Sequence, residues 1–69
     1  MNLIQAQQRY IEKMRAIHGS FDKKRAVGAR LELCRWATRN DCDPIVVLND
    51  ARDMLELELK GESQGQQQP

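Results

Sequence analysis

Two cysteines, Cys34 and Cys42, and the single histidine, His18, are the residues best able to bind a metal or attack a substrate. A structural zinc site draws on four ligands, usually in close pairs such as C-x2-C. Cys34 and Cys42 stand eight positions apart with one imidazole to accompany them, so the spacing predicts no metal site. A Cys–His catalytic pair needs a third group to orient the ring and a pocket around it, which a three-helix unit of this size seldom encloses. The only serines are Ser20 and Ser63, and the chain has neither a Gly-rich phosphate loop nor an H-E-x-x-H sequence. The carboxylate pairs Asp50 with Asp53 and Glu56 with Glu58 fall on what should be a solvated helix surface. No catalytic, cofactor-binding or metal-ligating residue is expected, and the chain does not read as an enzyme. Cys34 reads instead as a small core residue, Cys42 as a loop thiol, and His18 as a partly buried ring at a helix C-terminus, where the dipole favours its charged form.

Three helices would position these groups. Residues 2–18 put Leu3, Ile4, Tyr10, Ile11, Met14 and Ile17 on one arc and Gln5, Gln8, Arg9, Glu12, Lys13 and Arg15 on the other, an amphipathic pattern. Gly19 stands where a left-handed C-terminal residue is wanted and Ser20 where an N-cap is wanted. A second helix over 21–39 should therefore fold back on the first as an antiparallel hairpin. Gly28 in its interior costs about 1 kcal/mol relative to Ala and reads as a tolerated surface weakness. Asn40, Asp41 and Cys42 form a polar turn. Asp43 before Pro44 is an N-cap followed by a proline at the first helical position, which starts a third helix over 44–60 that stops at Gly61. Its main face is Val47, Leu48, Ala51, Met54, Leu55 and Leu59, flanked by Ile45. The run IVVL at 45–48 and the period-two alternation of MLELELK at 54–60 favour strand; the two caps and a Glu56–Lys60 pair favour helix. Helix is the expectation. Residues 61–69, GESQGQQQP, are polar and Gln-rich and predict a disordered tail. The fold class is thus all-α, one small three-helix domain over 1–60.

The second helix organises the rest. Ala26, Ala29, Leu33, Trp36 and Ala37 form one apolar flank and Val27, Leu31 and Cys34 another, with Lys23 and Arg30 between them and a polar edge of Lys24, Arg25, Glu32, Arg35 and Arg39 opposite. Two dry flanks predict two neighbours. A chain near 60 residues buries only about 60% of the surface its unfolded form exposes, so this one has little core to spare and a homodimer is expected.

Charge is uneven. Residues 1–39 carry nine Lys or Arg against three acids, a local +6, and residues 40–69 carry two against seven, a local −5, which together give the overall +1. Such a split suits helices that pair basic to acidic, a contact with another molecule, or a basic face for nucleic acid. A stripe of Lys24, Arg25, Arg35 and Arg39, extended by Arg9, Lys13 and Arg15, could follow phosphates. Against that, Glu32 shares the edge, no aromatic residue interleaves with the basic ones, and the turn between the first two helices is shorter than in a helix-turn-helix. Nucleic acid is the alternative partner.

The first choice is another protein. Trp36, Tyr10 and Arg30 are side-chain types that anchor interfaces, and Trp36 and Tyr10 read equally well as completing the core. On the third helix Val46 and Leu57 fall off the main face, between Asp50 and Asp53, as a second contact surface. No apolar run approaches the ~20 residues that cross a bilayer, and MNLIQAQQRY lacks a basic stretch followed by an apolar core, so neither a membrane span nor a signal peptide is expected and the chain is placed in the cytoplasm. A very short helical chain without catalytic apparatus and with a Gln-rich end is similar in type to accessory proteins of phages and other mobile elements. The resemblance implies a small regulator or inhibitor that binds a host protein.

Overall fold

The structure is a computed structural model and describes residues 1–17 and 22–67, with side chains through residue 61. Three helices follow one another, α1 (Leu3–Ala16), α2 (Lys23–Arg39) and α3 (Pro44–Gln67). Each touches the other two, and no strand occurs among the described residues. The all-α expectation holds, and the MLELELK stretch is helix.

Local chemistry sets the helix ends. Asn2 opens α1 with a capping box: its side chain accepts from the Gln5 N–H at 2.8 Å, and the Gln5 side chain accepts from the Asn2 N–H at 3.0 Å. Ile17 closes it. The cap of α2 is Asp22, which accepts from the Arg25 N–H at 3.2 Å, and the helix starts two residues later than position 21. A carboxylate suits this end because Lys23, Lys24 and Arg25 crowd the first turn, where the helix dipole is unfavourable to cations; Arg25 also pairs with Asp22 at 3.3 Å. Gly19, Ser20 and His18, to which the sequence assigns a C-cap, an N-cap and a terminal imidazole, lie outside the described residues.

At the other end of α2, Asp41 takes φ 57°. The Cys42 N–H reaches back to the Ala37 carbonyl at 2.9 Å and the Asp41 N–H to Thr38 at 3.4 Å, the two bonds of a Schellman motif with Asp in the place usually held by Gly. Cys42 lies in this loop as a free thiol, as its position predicts, and the turn packs it half-buried against the core. Asp43 caps α3 through the Ile45 N–H at 2.9 Å, as its position before Pro44 predicts. The stop expected at Gly61 is not where α3 ends. Gly61 has no left-handed φ, and the helix runs through it to Gln67, placing part of the expected 61–69 tail in helix; Gln and Glu are good helix formers.

The core is thin and alanine-rich. Ala6, Tyr10, Ile11, Ala29, Leu33, Ala37, Val47 and Ala51 are buried together, with Met14, Trp36, Leu48, Met54 and Leu55 packed around them. Small residues let the helices approach closely but remove little apolar surface from water. One polar group enters: Gln7 is buried and its Nε2 donates to the Val47 carbonyl at 3.2 Å, tying the start of α1 to the start of α3.

Only one flank of α2 serves both neighbours. Ala29, Leu33 and Ala37 face the core, whereas Val27 and Leu31 of the second flank are exposed and Cys34 is half-buried. Leu3 and Ile4, assigned to the core arc of α1, are exposed as well. Gly28 is exposed and a Cβ there would meet nothing within 4 Å.

Candidate functional site

Above Tyr10, α2 and α3 leave a groove of about 780 Å³ between them. Ala37 and Ala51 are fully buried, and nearer the start of α2 the groove wall is Ala26 and Arg30. Tyr10 and Met14 of α1 line it too. The α3 wall runs from Asn49 through Arg52, Asp53 and Glu56 to Leu55 and Leu59. It thus gathers Tyr10, Arg30 and Asp53 of the residues singled out in the sequence.

Tyr10 belongs to both core and groove, at 3% exposure. Burial raises its phenol pKa, and the nearby Arg52 and Arg30 guanidiniums pull it partly back down. Arg52 is missing from the sequence expectations, since nothing in its spacing distinguishes it from any solvated arginine.

The other singled-out residues lie elsewhere. Trp36 is half-buried and packs on the core. Val46, Asp50 and Leu57 are exposed on α3, Leu57 to 69%, and their spacing places them on the same side of the helix as Asp53, which is exposed as well. Ile45 beside Val46 is exposed to 70%, although it flanks the main face in the sequence pattern. None of the acids in this row forms an ion pair with another described residue.

The basic stripe divides. Arg9, at 2.6 Å, and Lys13 both pair with Glu32, and Arg15 pairs with Glu58. Glu32 therefore joins α1 to α2 instead of interrupting a phosphate-facing edge, and the Lys13 hydrogen bond holds its carboxyl below the usual range, aided by the Lys13 and Arg9 charges. Arg25 turns to Asp22. Lys24, Arg35 and Arg39 are exposed and make no ion pair with another described residue.

Cys34 and Cys42 are half-buried free thiols, and among the described residues no group of three His, Cys, Asp or Glu is placed to hold a metal ion. No helix among them is long and apolar enough to cross a membrane. No protein-family model, curated protein or solved structure matches the chain.

Proposed function

We propose that this chain is a small non-enzymatic regulator or inhibitor that works by occupying a surface of another protein, in the manner of accessory proteins that phages and other mobile elements direct at their hosts. The exposed apolar residues of α2 and α3 carry this reading. Val27, Leu31, Ile45, Val46 and Leu57 stay in water on a chain whose core is otherwise so small. Scattered exposed apolar side chains are ordinary, but Val46 and Leu57 share one side of α3 with two unpaired acids, the mixture of apolar anchor and polar rim that interfaces use. An antiparallel α1–α2 hairpin backed by α3 would hold that side rigid. Leu57→Asp tests the reading: binding to a partner captured from the native host should be lost while the unfolding midpoint stays put. Retained binding would count against it.

A homodimer is part of the proposal, with the uncovered Val27–Leu31 flank of α2 as its seat. Sedimentation at micromolar concentration should then give a mass near twice 8.0 kDa, and the melting temperature should rise with concentration. A second reading, nucleic-acid binding, is favoured by the unpaired Lys24, Arg35 and Arg39. It requires DNA or RNA binding that weakens steeply with salt and disappears in Arg35→Ala with Arg39→Ala.

A further inference from the structure

A hydroxyl without a partner lies at the bottom of the α2–α3 groove. Tyr10 is almost wholly buried, yet it makes no hydrogen bond to any described residue, and it is not among atoms sealed away unsatisfied. Tyr10 lines both this groove and a small hollow beside Arg9 and Glu32, and the two arginines near its phenol, both groove residues, put the O–H on the groove side. Buried phenols ordinarily find a partner. Arg30 and Arg52 approach from the two opposite walls, both close enough to act on the phenol's charge, and neither is in an ion pair with a described residue. Two guanidiniums and a phenol thus offer donors to one volume, beside apolar surface from Met14, Leu55 and Leu59.

We propose that the groove seats an amphipathic helix of the partner protein that carries a single carboxylate, its apolar side on Met14, Leu55 and Leu59 and that carboxylate held between Arg30 and Arg52 with the Tyr10 O–H donating to it. The proposal rests on the protein-binding reading above and names the partner's chemistry. Asn49 to Leu59 offer about 15 Å of wall at 1.5 Å per residue, room for about three turns of a helix laid in a groove. Guanidinium forks match a carboxylate in two bonds at once, which an amide cannot reproduce. Asp53 and Glu56 on the rim repel further acids, so the site takes one carboxylate flanked by neutral or basic side chains.

Two synthetic probes test this: a capped helical peptide with leucines along one side and a single Glu beside them, and the same peptide with Gln in its place. Each is titrated into the full chain by calorimetry, and the ring signals of Tyr10, the one tyrosine, are followed by NMR. The Glu peptide should bind about tenfold tighter, the order that one charge-assisted hydrogen bond supplies. That preference should vanish in Arg30→Gln with Arg52→Gln, whose side chains are exposed, and shrink in Tyr10→Phe, which removes only the hydroxyl. The bound Glu peptide should also raise the alkaline titration midpoint of Tyr10. Equal binding of the two peptides, binding by neither, or a preference that survives the double substitution overturns the proposal. Self-association that disappears in the double variant would give the groove to a second copy and overturn it equally. A host partner lost in Leu57→Asp but bound normally by the double variant defeats the groove assignment alone; a partner indifferent to both sets of changes defeats the protein-binding reading with it.

Discussion

Asp41→Gly should stabilise the protein, and its size can be worked from the turn that ends α2. Asp41 holds φ 57°, a region that costs an L-residue roughly 1–2 kcal/mol, with Asp toward the low end because its short side chain bonds locally. Its carboxylate also stands beside the carbonyl end of α2, where a negative charge costs about 0.3–1 kcal/mol. Glycine removes both penalties and keeps the two backbone bonds from Cys42 and Asp41 to Ala37 and Thr38. Against this, glycine loses more conformational freedom on folding, about 0.5–1 kcal/mol. The net expectation is about 1 kcal/mol of stabilisation, or about 4–8 °C in Tm for a domain of this size. Far-UV circular dichroism during thermal and urea unfolding at neutral pH measures it. Asp41→Ala is the control, because it removes the charge while keeping the Cβ, and it should fall about 1 kcal/mol below Asp41→Gly. If the two variants melt together, or the glycine variant melts below wild type, left-handed strain at this turn is not what limits stability.

Gly28→Ala should also stabilise by about 1 kcal/mol, since a Cβ there meets nothing within 4 Å; urea unfolding checks it, and a loss would reveal an unseen close approach. Gln7→Ala should cost about 1–3 kcal/mol in the same assay, because it opens space and removes the donor bonded to Val47. Glu32 has a folded-state pKa below its ordinary 4.5, so its contribution is present above that value and is lost as pH falls through the depressed one. Glu32→Gln should therefore flatten the acid limb of a stability–pH curve, and an unchanged limb would count against the Arg9–Glu32–Lys13 bridge. Tyr10 runs the opposite way: its raised pKa means stability present below the ordinary phenol value of 10.0 and lost as pH rises through the folded one. Tyr10→Phe should blunt that alkaline loss.

Much of the fold can be read from local pattern. The Asp43–Pro44 start of α3 works because the cap bond and the missing proline N–H both concern residues adjacent in the chain. The apolar arc of α1 and the Ala29–Leu33–Ala37 flank of α2 follow from helical periodicity. Boundaries proved harder where several residues compete for one role: Asp22 takes the cap that Ser20 could have held, and Gly61 stays helical where glycine often stops a helix. Burial of Leu3, Ile4 and Ile45 depends on how the helices pack against one another, which periodicity does not encode. The groove was legible only in pieces. Tyr10, Arg30 and Asp53 stand out by type and surroundings, but their meeting with Arg52 depends on how the three helices pack, which local pattern does not encode. Glu32 reads as part of a basic edge until α1 is packed beside it and turns it into a bridge.

The proposed function requires another protein to cover the exposed apolar surface of α2 and α3. The most direct measurement is an amide chemical-shift map of the full chain, titrated with the partner captured from its native host. Changes should concentrate at Val46, Asp50 and Leu57 and around Arg30 and Arg52, with the core amides of Ala29, Leu33 and Ala37 little moved. Changes confined to Lys24, Arg35 and Arg39, or shifts spread evenly through the core, would contradict it.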